Sequence, residues 1–462
     1  MTIVSDYLDY AELSQAAYGD FNQPGISYND ILTDKKYNVG FTESQAKDFA
    51  DKYQVVATSS QYGIGALSGF SATLFSYKEN GVKKYVFAIR GTDQISLGSP
   101  QDLGDDLWNG LMFGKVPEQF EDMVDFYTAL KSSGALPAGT SISVTGHSLG
   151  GPLAQMFTAA FKDEVSHTYT YNAPGAKDLA LPTLHETLDG NYLRLDDLLY
   201  VPVSAEAGDA YYAFDANRNQ VDGKVVNIQA VDGPSVISDL GTDIGSTRVP
   251  VFINADTDYF SYNHSIKTLT DVLSFHAALS TIDGSLTTAA INSICQGMKE
   301  IYGSAFPKES LFLEVDKRIG EILDIQFTGT SANLVDFSEE MIKSKKSGTI
   351  QSLADVPASA LEFMARGETA SLYALTKLNP FVIRGQDIAS YAALAPGDYS
   401  DNWYSDRSEF LTRIIHPVSS LTRYRDLDLG LDTHDPNDPD TVADRENRER
   451  VKAAFDFYQA AA

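Results

Sequence analysis

Apolar and polar positions alternate with two different periods along this chain, and the period changes mark its organisation. Tyr10 to Tyr18, "YAELSQAAY", is apolar on one helical face. "TESQAKDFADKY", Thr42 to Tyr53, opens with the Thr42/Gln45 spacing of a capping box. "SATLFSYKENGVKKYVFAIRGTD" holds two β-rich runs around Asn80-Gly81, the dipeptide of a tight hairpin. Val86 to Ile89 in the second run are all apolar, as in a strand buried on both faces. Phe120, Met123, Val124, Phe126, Tyr127 and Leu130 recur at helical spacing, and Gly134 ends that run. Next come "SISVTGHS" as strand, "LGGPLAQMFTAAFKD" as helix and "HTYTYNAPG" as strand. A longer segment, 176–224, separates these from the strand "KVVNIQAVDG".

Strand, helix and strand with short links predict a parallel sheet covered on both faces. The fold class expected is therefore α/β, with a mostly parallel central sheet and a mainly helical carboxy-terminal region. The boundary is expected near 285, giving a catalytic domain over 1–285 and an accessory region over 286–462 with an acidic tail. Beyond 285 only "LFLEVD" and "DIQFT" suggest strands, and no repeat of fixed period is present.

Composition narrows the function classes. The chain has 462 residues, 43% of them hydrophobic, which fits a large folded protein. A net charge of −28 repels phosphate backbones and argues against nucleic-acid binding. A single cysteine, Cys295, excludes an intramolecular disulfide. No apolar run is long enough to span a membrane, and "MTIVSDYLDYAELSQAAYGDF" lacks the features of a secretory signal. Secretion by a route that reads no amino-terminal signal is expected, with a cytoplasmic location as the alternative.

The chemistry centres on "SVTGHSLGG", Ser143 to Gly151. G-x-S-x-G alone is weak. Between a β-branched run and a helix start it becomes a nucleophile elbow, with Ser148 on a sharp strand-to-helix turn. A serine hydroxyl needs a base, and the base needs an orienting carboxylate. The chain order in this architecture is Ser, then Asp or Glu, then His. His264, in a polar loop after "VPVFI", fits that order. His147 precedes the Ser, His167 begins a strand, and His276 falls within a probable helix. His185 stands in a helix-loop stretch, while His416 and His434 are carboxy-terminal. Asp232, delivered at the end of "KVVNIQAV", is the best carboxylate, with Asp239, Asp243 and Asp197 in reserve. Oxyanion donors are expected at the backbone of Leu149 and of Thr92, just beyond the strand "FAIR".

In the order "VFAIRGTD", "VTGHSLGG", "YNAPG", the chain resembles the class 3 lipases, an α/β-hydrolase family. "VVNIQAVDGPSVISDLG", "NHSIKTLTDVLSF", "YALTKLNPFVIRG" and "YSDRSEFL" resemble lipase modules of bacterial RTX-type secreted proteins, although their nonapeptide repeats are absent. The resemblance implies Ser148 as nucleophile, Asp232 as acid, His264 as base and Thr92 with Leu149 as the oxyanion hole. It also implies hydrolysis of carboxylic esters of lipids at an interface, by a triacylglycerol lipase or a phospholipase A1. A catalytically silent lipid-binding or adhesion module is the competing class, and it would be expected to carry a broken triad. No cofactor or metal is required for the chemistry. The Asp-rich tail, Asp426 to Asp444, offers hard oxygen ligands for a structural Ca²⁺ but reads better as a solvated acidic segment. Two apolar stretches, Ile95 to Gly114 and Asn191 to Phe214, are candidates for a lid over the cleft.

Overall fold

A computed structural model describes residues 3–34, 39–91, 116–180, 182–196, 199–232, 237–238, 240–255, 260–302, 305–327, 333–353, 356–385, 391 and 399–414. The chain divides into two compact units, Met1–Ser274 and Phe275–Ala462.

The first unit opens with helices α1 (Ile3–Ala16), α2 (Tyr28–Thr33) and α3 (Glu43–Lys52). Both halves of the α3 capping box form, with the Thr42 side chain on the Gln45 N–H and the Gln45 side chain on the Thr42 N–H. Strands β1 (Gln54–Thr58), β2 (Ala72–Glu79) and β3 (Val82–Ile89) follow. Asn80 and Gly81 join β2 to β3 with φ of 50° and 80°, the left-handed pair that a two-residue hairpin requires.

Then come α4 (Val116–Ser132), β4 (Ile142–His147), α5 (Gly150–Ala160) and β5 (Val165–Tyr171). A small antiparallel sheet, β6 (Leu184–Glu186), β7 (Tyr192–Asp196) and β8 (Leu199–Val203), and helix α6 (Ala205–Asn217) fill the long segment before β9 (Val225–Val231). His185 therefore lies on a short strand rather than in a helix-loop stretch. Strand β10 (Thr247–Phe252) and helix α7 (Phe260–His264) lead into α8 (Ile266–Ile282), and the division between the units falls inside α8.

The central sheet has seven strands in the order β1-β2-β3-β4-β5-β9-β10. The first three are antiparallel, and β3, β4, β5, β9 and β10 run parallel. Side chains alternate across a strand, so neighbours on β4 face opposite layers. Ile142 and Val144 join the core shared with α4, α5 and α6, where Phe87 packs on Phe126 and Phe157. Thr145 points the other way, and its hydroxyl donates to the Tyr10 carbonyl of α1 at 3.0 Å. Both faces are thus covered, and the strand ends are left to carry chemistry.

The second unit holds α9 (Thr288–Tyr302), α10 (Glu309–Leu323), α11 (Leu334–Ser344), α12 (Ala358–Gly367), α13 (Thr369–Lys377) and α14 (Asp401–Ile414). It also holds the antiparallel pair β11 (Thr349–Ser352) and β12 (Phe381–Arg384). The strand reading of "LFLEVD" is wrong, because Leu311, Phe312, Val315 and Ile319 form the buried face of α10. Six residues are too few to separate a period of 2 from one of 3.6, and the wider window decides for helix. "DIQFT" is not a strand either, since Asp324 to Phe327 carry no regular structure.

Candidate active site

Ser148 follows the last residue of β4 and is held at φ 54°, a left-handed conformation that a non-glycine residue adopts at a cost of about 1–3 kcal/mol. Its N–H donates to the Tyr171 carbonyl of β5 at 3.1 Å, and its carbonyl accepts from Gly151 N–H at 2.9 Å. The turn is tight because glycines let main chains meet. A Cβ on Gly146 would lie 2.2 Å from the Gly150 carbonyl oxygen, and one on Gly150 would lie 2.3 Å from that of Ile89. Ser148 therefore stands on a sharp strand-to-helix turn between β4 and α5.

His264 ends α7, and its Nε2 lies 2.8 Å from the Ser148 Oγ. Burial holds the imidazole pKa well below its ordinary 6.5, and the neighbouring His147 lowers it further. The ring is neutral near pH 7 and can accept the serine proton. Asp232 is the first residue beyond β9, with φ 79°, and α7 packs against β9. Asp232 thus stands at the same carboxyl edge as Ser148, with only β5 between their strands. Of the reserve carboxylates, Asp243 accepts from Arg248 Nε at 2.7 Å, and Asp239 and Asp197 lie outside the described residues.

Leu149 caps α5, so its N–H belongs to the first turn of a helix, where donors have no intrahelical partner. Gly91 lies against the elbow, for its Cβ would come 2.7 Å from the His147 carbonyl oxygen and 3.0 Å from Ser148 Cβ. Thr92, the next residue, lies outside the described residues, as does the lid candidate Ile95 to Gly114. The other lid candidate is packed down. Tyr211 of α6 is buried on Phe120 and donates to the Pro117 carbonyl at 2.9 Å, and Ser204 donates to Asp125 at 2.8 Å. Arg194 of β7 is buried beside Glu121 at 3.2 Å.

Three residues at the site escape sequence reasoning. Tyr18 hydroxyl and His147 Nδ1 are 2.8 Å apart, and His147 Nε2 is 2.7 Å from the His264 carbonyl oxygen. Asn172 Nδ2 donates to the Asn263 carbonyl at 2.9 Å. His147 and Asn172 both stand within the quoted motifs, yet nothing local shows that their side chains reach the segment bearing His264. His276 is fully buried, and neither ring nitrogen has a hydrogen-bond partner. Burial pushes its pKa down to about 3, in keeping with a core role. Among the described residues no cluster of three or more His, Cys, Asp or Glu could hold a metal ion, and the tail from Asp426 to Asp444 lies outside them. No described helix is long and apolar enough to cross a membrane.

A mostly parallel sheet with a serine on a strand-to-helix elbow and a histidine on its hydroxyl is compatible with the α/β-hydrolase class. Residues 9–187 match the family model of a phospholipase-like group, the Tle-like phospholipase domain. That stretch contains Ser148, Leu149 and Thr92, but neither Asp232 nor His264. The match supports a lipase or phospholipase family and an ester-hydrolysing enzyme. Comparison with curated proteins gives no match.

Proposed function

We propose that this protein hydrolyses carboxylic esters of lipids by two-step acyl transfer, with a phospholipid as the preferred substrate. The observation that carries the reading is the 2.8 Å contact between His264 Nε2 and the Oγ of a left-handed Ser148. The Ser148 hydroxyl donates to His264 and attacks the ester carbonyl as its proton passes to Nε2. The N–H groups of Leu149 and Thr92 take the oxyanion. His264 then protonates the leaving alcohol, and water cleaves the acyl-enzyme by the same steps. Asp232 orients the imidazole and stabilises its protonated form. This role is supported by the position of Asp232 at the edge of β9, against which α7 packs.

The phospholipase-like match over 9–187 favours phospholipid over triacylglycerol. The quoted motifs make a class 3 lipase of the RTX-module type the finer family reading, and secretion without an amino-terminal signal belongs to the same reading. The test is release of labelled fatty acid from doubly labelled phosphatidylcholine and from triacylglycerol, side by side, with labelling by a fluorophosphonate probe. Wild type is expected to cleave the phospholipid and to be labelled at Ser148. Ser148→Ala should fold and do neither, and Asp232→Asn should keep substrate affinity and lose most of kcat. Absence of both labelling and hydrolysis in the wild type would replace this reading with the silent lipid-binding module.

A further inference from the structure

The segment that presents His264 is held by two side chains from the ends of neighbouring strands. His147, the last residue of β4, meets the carbonyl of His264 at 2.7 Å. Asn172, the first residue beyond β5, donates to the carbonyl of Asn263 at 2.9 Å. Consecutive peptide groups are thus fixed at two points, to the strand that bears the elbow and to its neighbour β5. From this geometry we infer that His147 and Asn172 are positioning residues that clamp the main chain of the catalytic base over Ser148, with Tyr18 holding the His147 ring by its other nitrogen. The inference rests on the acyl-transfer reading of Ser148 and His264.

Proton logic fixes the direction of each bond. A carbonyl oxygen only accepts, so His147 Nε2 carries a proton. Burial holds the His147 pKa down to about 4, so the ring is neutral and Nδ1 has a free lone pair. Nδ1 therefore accepts from the Tyr18 hydroxyl at 2.8 Å. With the Tyr18 donor gone, the buried Nδ1 lone pair loses its partner and the ring keeps only the bond to the His264 carbonyl. Asn172 is tied equally tightly. Its Oδ1 accepts from Ala230 N–H at 2.8 Å, and its own N–H donates to the Ile228 carbonyl at 3.0 Å, so its amide is oriented by β9 before it reaches α7. All these groups except the Tyr18 hydroxyl come from strand ends or main chain. His147, Asn172 and Asn263 are buried, where an unmade hydrogen bond costs most. A misplacement of about 1 Å at a reacting pair lowers turnover by roughly 10²-fold.

The test is the rate of Ser148 labelling by a fluorophosphonate probe, resolved into the maximal rate and the half-saturating probe concentration, with folding followed by thermal melting. His147→Phe keeps a ring and removes the donor. Asn172→Gly removes the amide while tolerating φ 46°. Each is expected to lower the maximal rate roughly 10- to 100-fold with half-saturation within about two-fold. His147→Gln, whose amide nitrogen reaches about as far as Nε2, should recover most of the loss, which a merely space-filling role would not produce. Tyr18→Phe deletes a single donor and carries the test if the larger changes fail to fold. Wild-type labelling rates in folded variants would overturn the clamp while leaving the acyl-transfer reading intact. Failure of the wild type itself to label would overturn that reading and the clamp with it.

Discussion

Gly150→Ala sets two effects of opposite sign against each other. Gly150 is the first residue of α5, where alanine would normally gain about 0.5–1 kcal/mol of helix stability. The new Cβ, however, would stand 2.3 Å from the Ile89 carbonyl oxygen and 2.9 Å from its carbon. Restoring even a 3.0 Å contact requires the start of α5 to retreat by about 0.7 Å, the difference between the two distances. The obstacle is main chain of β3, which is bonded to β2 on one side and β4 on the other, so it cannot turn aside as a side chain would. Overpacking of this kind costs typically 1–3 kcal/mol, and a backbone neighbour puts it at the upper end. The net expectation is a loss of about 2 kcal/mol, or roughly 4–8 °C in Tm for a unit of this size. Activity should suffer more, because the same retreat moves Ser148 against its 2.8 Å partner His264, and a shift approaching 1 Å costs on the order of 10²-fold. Gly223→Ala is the control, since nothing lies within 4 Å of its Cβ. Melting curves and Ser148 labelling rates for both variants decide the matter. A Gly150→Ala protein with wild-type Tm and wild-type labelling would refute the claim that close approach of α5 to β3 demands glycine there.

Two further outcomes follow from the buried imidazoles. The acid limb of the labelling rate reports protonation of His264, whose pKa lies below 6.5, so half-maximal rate is expected below pH 6.5; a midpoint at or above 7 would contradict it. His147 binds a proton below about 6.5 in the unfolded chain but only below about 4 in the folded one, so the stability of the first unit should fall as pH drops through that window. The difference amounts to roughly 3 kcal/mol. Urea midpoints at pH 7 and pH 4.5 should show this slope in wild type and lose that part of it in His147→Gln; equal slopes would refute the assignment.

The parts of this site legible in the sequence are those fixed by local rules. The β-branched run before Gly146 and the glycines after Ser148 specify strand, turn and helix within a dozen residues. Chain order brings His264 forward, although it ends the short helix α7 rather than standing in a loop, and Asp232 stands just beyond β9, where the strand pattern puts it. The hairpin at Asn80-Gly81 and the Thr42/Gln45 capping box follow from turn and cap chemistry alone. What could not be read depends on which strands lie side by side. Asn172 can reach both Ala230 and Asn263 only because β5 lies beside β9, and β9 is more than fifty residues further along the chain. His147 stands in the motif just before the nucleophile, and only the folded chain shows that its side chain meets the His264 carbonyl, more than a hundred residues on. In the second unit, β11 and β12 are four residues each, too short for any period to show, and long-range pairing alone creates them.

One edge of the central sheet repeats a single backbone conformation. At the carboxyl ends of four successive parallel strands, β4, β5, β9 and β10, stand the left-handed residues Ser148, Asn172, Asp232 and Asn254. Three of these are Asn or Asp, the non-glycine residues that visit this region most readily, because a short polar side chain can bond locally. That preference turns the chain at the sheet edge, and it leaves the side chains of Asn172 and Asp232 available for the roles proposed above. Serine has no such preference, and Gly or Asn at 148 would turn the chain with less strain. Ser148 also sits between Gly146 and Gly150, whose added Cβ atoms would meet main chain at 2.2 and 2.3 Å. At this edge the favoured residue type recurs, and the departure from it is the hydroxyl facing His264; strain kept at that one position is what the proposed nucleophile role of Ser148 calls for.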